Sequence, residues 1–202
     1  MSKNNIAILL LAAGESKRMG ATKQLLPWGN SNVLTHAINN IKRVQENNVF
    51  VVLGANATGI SNEINFSNLK VRLIKNKNWK EGLGTSIAYG IKDILAKCSK
   101  IEAVLICLAD QPLVTAENYF KLIENFNKRR SIIVASSYNS RAGVPAIFDK
   151  SVMLELCDLE SDFGAKVILE KYAAKTILMN FEGVEYDIDT PAEYEKLYSA
   201  HH

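Results

Sequence analysis

The residues best suited to chemistry in this sequence are a small group of cations near its start and three aspartates far along the chain. Leu10-Leu11-Ala12-Ala13-Gly14-Glu15-Ser16-Lys17-Arg18-Met19-Gly20, followed by Lys23, closes a near-continuous apolar run at 6–11 with two glycines and three cations. An apolar run of that length reads as a buried parallel strand. A small-residue turn at its end can wrap backbone N–H groups around phosphate oxygens, while Lys and Arg neutralise the remaining charge. Five residues separate Gly14 from Gly20 and no Lys-Ser/Thr follows, so this is not a Walker loop. Nor is it the dinucleotide fingerprint G-x-G-x-x-G.

The carboxylates complement those cations. Asp110 ends the apolar run 104–109 inside Ala109-Asp110-Gln111-Pro112. Asp110 could be a turn former or a helix cap, but Thr115 is better placed to cap the next helix. In Asp187-Ile188-Asp189-Thr190-Pro191-Ala192-Glu193, the residues Thr190, Pro191 and Glu193 spell a capping box with proline at the first helical position. The two aspartates are left unexplained by it. Alternation along a strand at 184–188 would put Asp187 and Asp189 on one face. A second carboxylate facing Asp110 completes a hard-oxygen site of the kind magnesium uses, phosphate and water filling the other positions. No histidine has a partner for Ser–His–Asp nucleophilic chemistry; His36 lies on a helix.

These residues need a scaffold that brings strand ends together. Apolar runs at 6–11, 49–53, 71–74, 103–108 and 132–136 alternate with helix-period segments at 33–45, 83–96 and 116–128. That order predicts a mostly parallel sheet with helices on both faces. Beyond it come a turn-rich patch at 138–143, helices at 150–156 and 165–172, strands at 176–179 and 184–188, and a last helix at 191–198. In open α/β sheets ligands collect beyond the carboxyl ends of the strands, where Gly14, Lys23 and Asp110 fall. No internal repeat, low-complexity segment or Pro/Gly linker divides the chain, which reads as one domain over 1–202.

The pattern LAAGxSxRMG…K closely resembles the pyrophosphorylase-type nucleotidyltransferases, the MobA-like NTP transferases, and in particular their molybdenum-cofactor cytidylyltransferase branch. Ala109-Asp110-Gln111-Pro112, Gly143-Val144-Pro145-Ala146-Ile147-Phe148 and Asp187-Ile188-Asp189-Thr190-Pro191 match motifs of the same family, so the resemblance covers nearly the whole chain. It implies a Rossmann-like three-layer α/β/α fold of the nucleotide-diphospho-sugar transferase type. The implied reaction is attack by an acceptor phosphate on the nucleotide α-phosphorus, with pyrophosphate leaving in line. Leu11, Ala12, Ala13, Gly14, Arg18, Gly20 and Lys23 would bind the nucleotide, Arg18 at the β/γ-phosphates and Lys23 at the α-phosphate. Arg18, Lys23 and Asp110 would carry catalysis. Asp110 and Asp189, with Asp187 as the second choice, would hold Mg²⁺.

Asn76-Lys77-Asn78-Trp79-Lys80-Glu81-Gly82-Leu83-Gly84-Thr85-Ser86 resembles the family's segment beside base and ribose, which nominates Asn78, Gly82 and Ser86. A lone Trp is also ordinary core, and glycines before a helix are ordinary turn chemistry; both readings stay open. Gly143 and Pro145 resemble the strand near the acceptor, although Val144 stands where a polar residue is commoner. Ser161-Asp162-Phe163-Gly164-Ala165 resembles a G-D-x-G-A motif with serine for its first glycine. It nominates Asp162 and Gly164 for the acceptor, or Asp162 as a plain helix cap.

A guanylyl-transferring relative usually reads LAGG where this chain has Leu11-Ala12-Ala13-Gly14. The Ala13 methyl would deny room to a purine, which points to CTP, and the resemblance points to Mo-molybdopterin as acceptor with a molybdenum hydroxylase as recipient. A GTP-using guanylyltransferase, a sugar- or polyol-phosphate nucleotidyltransferase, and a non-catalytic cofactor chaperone are the rival readings.

Bulk properties agree with a small-molecule enzyme. Hydrophobic residues make up 48% of 202, enough for a packed core rather than disorder. The net charge of +3 and the lack of long Lys/Arg blocks argue against a nucleic-acid surface. Cys98, Cys107 and Cys157 lack zinc spacing and read as free buried thiols. Residues 1–5 lack signal-peptide architecture and 6–13 is too short to span a bilayer, so a cytoplasmic protein without membrane partners is expected. His201-His202 is assigned no function.

Overall fold

The computed structural model describes residues 5–129, 131–160 and 162–202. Ser161 lies outside the described residues. The first apolar run forms β1 (Ile6–Ala12), every residue of which is buried. A two-stranded ribbon follows, β2 (Pro27–Trp28) and β3 (Ser31–Asn32), then α1 (Val33–Lys42). Next come β4 (Val49–Leu53), α2 (Ala57–Glu63), β5 (Arg72–Lys75), α3 (Leu83–Lys97) and β6 (Ala103–Leu108). The second half holds α4 (Ala116–Arg129), β7 (Ile133–Tyr138), β8 (Arg141–Asp149), α5 (Lys150–Leu156), α6 (Lys166–Lys171), β9 (Thr176–Met179) and α7 (Pro191–His201).

The main sheet runs β5-β4-β1-β6-β8-β7-β9. β1 is central and pairs in parallel with both β4 and β6, while β8 alone is reversed, antiparallel to β6 and β7. Alternation splits β1 between two cores. Ile8 and Leu10 pack with Leu34 and Ile38 of α1 and Leu122 and Phe126 of α4. Leu9 and Leu11 face Ile87 and Ile91 of α3, with α5 and α6 on the same side. Each such fully buried aliphatic side chain contributes about 1.5–3 kcal/mol, so the three-layer fold is fixed most firmly at the strands whose ends carry the charged residues.

Local chemistry sets the element ends. The Asn32 side chain accepts from the Thr35 N–H to start α1, and the Asp149 carboxylate accepts from the Ser151 N–H to start α5. Thr115 and Asn118 exchange hydrogen bonds at the start of α4, as the sequence suggests. The full capping box of Thr190 and Glu193 starts α7.

Several expectations need correction. The segment 184–188 is not a strand; it follows a turn and is held by the Ile188 N–H donating 2.9 Å to the Asp110 carbonyl. The turn-rich patch at 138–143 is instead a hairpin leading into β8, because Asn139 and Ser140 take positive φ and reverse the chain tightly. α2 and the β2–β3 ribbon are additional elements. The first helix stops at Lys42 rather than 45, where the Arg43 N–H folds back onto Asn39. Of the free thiols only Cys107 is buried; Cys98 and Cys157 are half-buried. Among the described residues no helix is long and apolar enough to cross a membrane.

α3 crosses β1 closely because Gly90 has no side chain: a Cβ there would sit 2.5 Å from Leu9 Cδ1, and Leu9 is fully buried. Gly90→Val is expected to overpack this contact and cost about 1–3 kcal/mol, read as a lower urea midpoint. An unchanged midpoint would contradict the close approach.

Candidate active site

The loop after β1 is held from below. Gln24, almost fully buried, donates through Nε2 to the Ala12 carbonyl at 3.0 Å and the Gly14 carbonyl at 3.2 Å. The Ala13 carbonyl accepts from the Ala55 N–H. Gln24 escaped the sequence reading because it resembles any polar residue of a 3₁₀ turn, and only its burial marks its role. Two turns of 3₁₀ helix, Lys17–Met19 and Lys23–Leu25, then carry the cations. Gly20 closes the first with φ 67°. A Cβ on Gly14 would meet nothing within 4 Å, so the backbone there faces open space that a ligand can fill.

The predicted charges meet across more than 160 residues of sequence. Lys23 Nζ lies 2.5 Å from Asp110 Oδ2 and 3.2 Å from Asp189 Oδ1, with the lysine side chain only 13% exposed. Arg18 Nη2 lies 2.7 Å from Asp189 Oδ2 but is largely solvent-exposed, so that pair adds little stability. Burial pulls the Lys23 pKa down, yet Asp110 and then Asp189 outweigh it and leave it raised above the ordinary 10.5. Asp187 joins the group: its pKa is pushed up to about 6 by desolvation first and by the Asp110 charge next. The three aspartates converge because Ile188 is buried with Met19 and Trp28 and hooks to the Asp110 carbonyl, not through strand alternation. His36 is a structural pin, its Nε2 3.1 Å from the Pro112 carbonyl.

The donor set fits a hard divalent cation. Asp110 Oδ1 is buried and has no hydrogen-bond partner, an arrangement that leaves a carboxylate oxygen ready for a ligand. Among the described residues no three His, Cys, Asp or Glu side chains sit at metal-holding spacing. The protein would therefore offer Asp110 and Asp189 and leave other positions to phosphate and water, as magnesium commonly requires.

Two adjoining cavities flank these charges. The smaller, about 130 Å³, is lined by Leu11, Ala12, Ala13, Gly14, Lys23 and Asp110 among others. The larger, about 420 Å³, shares Ala13, Gly14 and Leu83 with it and reaches Trp79, Gly82, Ser86 and Asp162. The segment before α3 is organised by Asn76, which is buried and donates to Ser86 Oγ at 3.0 Å and Thr85 Oγ1 at 3.2 Å while accepting from the Asn78 N–H. Asn78 thus serves the loop backbone, its carbonyl accepting from Thr85, and neither it nor Gly20 lines the two cavities. Asp162 does not cap α6, whose N-cap residue is Ala165, with no side-chain cap hydrogen bond. It lies over Gly82, where a Cβ would come 2.4 Å from Asp162 Oδ1, and so belongs to the rim of the larger cavity. Gly164 is beside it, against Leu83. Gly143 and Pro145 stand on β8, apart from these cavities; the Tyr138 ring lies on Gly143.

Comparison with known proteins agrees with this geometry. A sequence profile of the MobA-like NTP transferase domain matches residues 8–176. The chain belongs to that family. It is 28% identical over 200 residues to nicotine blue oxidoreductase of Paenarthrobacter nicotinovorans, spanning 94% of each chain. It is 27% identical over 203 residues to a probable molybdenum cofactor guanylyltransferase of Carboxydothermus hydrogenoformans, spanning 96% of this chain and 95% of the relative. Among solved structures, the Mycobacterium sp. strain JC1 homolog of Mycobacterium tuberculosis Rv0371c superposes with a TM-score of 0.79 at 26% identity, covering 97% of this chain and 96% of that one. These findings support nucleotidyltransferase architecture and do not single out the cytidylyltransferase branch.

Because the Asp110 charge raises the Asp187 pKa, Asp110→Asn is expected to lower it from about 6 toward the ordinary carboxylate range. Carboxyl ¹³C shifts followed against pH check this; an unmoved titration would leave burial and the Asp189 charge as the causes.

Proposed function

We propose that this chain transfers a nucleotidyl group from a nucleoside triphosphate to a phosphorylated acceptor. The observation that carries the reading is the meeting of Lys23, Asp110 and Asp189 beside an open glycine backbone at the strand ends. The acceptor supplies its own nucleophile, so the site need only position and neutralise. An acceptor phosphate oxygen forms the new bond to the α-phosphorus, the α–β bridging P–O bond breaks, and pyrophosphate leaves with the electron pair. Lys23 leaves the carboxylates for the α-phosphate, where charge grows during displacement, and Arg18 leaves Asp189 for the β/γ-phosphates. A divalent cation held by Asp110 and Asp189 would supply further charge neutralisation on the phosphates.

The acceptor and base rest on narrower support. The guanylyltransferase relative supports a molybdenum-cofactor acceptor and GTP. The Ala13 methyl, which lines both cavities, supports the smaller cytosine ring and hence CTP. Transfer to a phosphorylated acceptor holds under either, and a sugar or polyol phosphate remains the alternative acceptor. An assembled Lys–Asp–Asp group is more than a cofactor chaperone requires. The oxidoreductase relative marks the other chemistry to be tested.

The test supplies Mo-molybdopterin, or a panel of sugar and polyol phosphates, with CTP, GTP or ATP and Mg²⁺. Pyrophosphate and a coupled nucleotide product are expected. Asp110→Asn and Lys23→Met should each lower the rate by about 10²–10³-fold, the scale of removing one preorganised charge-stabilising group. Ala13→Gly should raise the relative use of GTP over CTP. Absence of pyrophosphate with every acceptor, or redox turnover in its place, would overturn the reading.

A further inference from the structure

α2 begins at a residue that could cap it and does not. Asn is among the best N-cap residues because its side-chain oxygen accepts from a backbone N–H in the first turn. Asn56 holds the N-cap position of α2, yet it makes no side-chain cap hydrogen bond and its backbone takes φ 50°. That is the left-handed region, uncommon for a residue with a side chain and kept where surrounding contacts over-determine it. The side chain goes elsewhere. Asn56 Nδ2 donates 2.8 Å to Thr22 Oγ1, 34 residues away in sequence. Gly59 leaves room for this, since a Cβ there would come 2.4 Å from Asn56 Oδ1. Thr22 in turn stands at the N-cap of the 3₁₀ turn Lys23–Leu25 and makes no cap hydrogen bond either. Two cap-type residues thus leave their own helices and bond each other.

Thr22 immediately precedes Lys23. Gln24 and the Lys23 N–H tie the turn back into its own loop, to the Ala12 and Gly14 carbonyls and, at 3.4 Å, to Ser16 Oγ. Asn56 attaches it to a different strand, just past the end of β4. That strand end is itself packed on the loop. The Ala55 N–H donates 3.0 Å to the Ala13 carbonyl, and a Cβ on Gly54 would come 2.7 Å from the same oxygen. It would also come 2.5 Å from Trp79 Cβ. Segment 54–56 therefore grips the glycine-loop backbone, the Trp79 wall of the larger cavity and the residue before Lys23.

We infer that Asn56 is a positioning residue: its bond to Thr22 fixes the backbone beneath Lys23, so that Nζ passes from Asp110 and Asp189 to the α-phosphate by side-chain rotation alone. This rests on nucleotidyl transfer being the reaction. The effect belongs to the transition state, where charge gathers on the α-phosphate and a misplaced stabilising group loses most. Ground-state binding on the glycine-loop amides is held instead by Gln24 and Ala55.

Thr22→Val keeps the side-chain shape without the hydroxyl, and Asn56→Gly removes the amide while allowing the left-handed backbone. In Thr22→Val, amide hydrogen exchange across 20–25 is expected to quicken about fivefold, the scale of one net hydrogen bond, with β1 and β4 unchanged. In the proposed assay each single variant should lower kcat about tenfold while KM for the nucleotide moves less than about twofold. Thr22→Ser, which keeps a hydroxyl, should restore kcat. The double variant should be no slower than either single one, because both remove the same bond. Unchanged exchange overturns the pin whatever the wild type makes. So does full kcat in Thr22→Val, or losses that multiply in the double variant. Faster exchange in a protein whose wild type makes no coupled product supports the pin and removes the reaction instead.

Discussion

The structure is organised around one electrostatic constraint: two carboxylates at the ligand edge of a buried sheet, held together by a single poorly exposed lysine. Asp110 ends β6 and Asp189 precedes α7, and Lys23 touches both. Removing one partner from such a group leaves uncompensated charge in a region of low dielectric, which is costly. The surrounding architecture keeps this from happening. Parallel pairing of β1 with β6 places the Lys23 loop beside Asp110. Gln24 holds that loop by its carbonyls, and Ile188 hooks the Asp187–Asp189 segment to the Asp110 turn. The same charges that compensate one another here are the ones a metal–triphosphate complex would need.

How far the sequence reveals this depends on the kind of residue. Long apolar runs such as 6–11 and 103–108 identify the parallel strands because burial on both faces leaves little else possible. Asp110 follows from standing just beyond such a run, whereas Lys23 and Asp189 follow from the loop and D-I-D-T-P motifs. The convergence of Asp187 and Asp189 was legible, but its cause was not: strand alternation is a local rule, whereas the hook through Ile188 is a tertiary contact. β8 was legible through its G-x-P-x-x-F motif but not through periodicity, because Gly143 and Pro145 signal a turn, and the register break in this reversed strand uses those same residues. Asn76 and Gln24 were hidden for another reason. A polar side chain that organises a loop looks like any solvent-facing one until its burial is known.

Asp162 shows how a motif can mark a residue while leaving its role open. It reads as a helix cap or an acceptor contact, yet it rests on Gly82 at the rim of the larger cavity. One cavity rim therefore combines the segment before α3 with the segment before α6. Family membership is consistent with this economy of parts, since proteins named as a guanylyltransferase and as an oxidoreductase both align over almost the whole chain. Such breadth is expected when a scaffold keeps its strand ends and varies the residues around them.

The most direct measurement is Mn²⁺ binding followed by electron paramagnetic resonance, with and without CTP or GTP, in the wild type and in Asp110→Asn. If Lys23 and Arg18 neutralise the carboxylates until a triphosphate draws them away, Mn²⁺ should bind weakly alone and much more tightly with nucleotide, and Asp110→Asn should abolish the gain. Mn²⁺ binding that ignores nucleotide, or that survives loss of Asp110, would contradict the account.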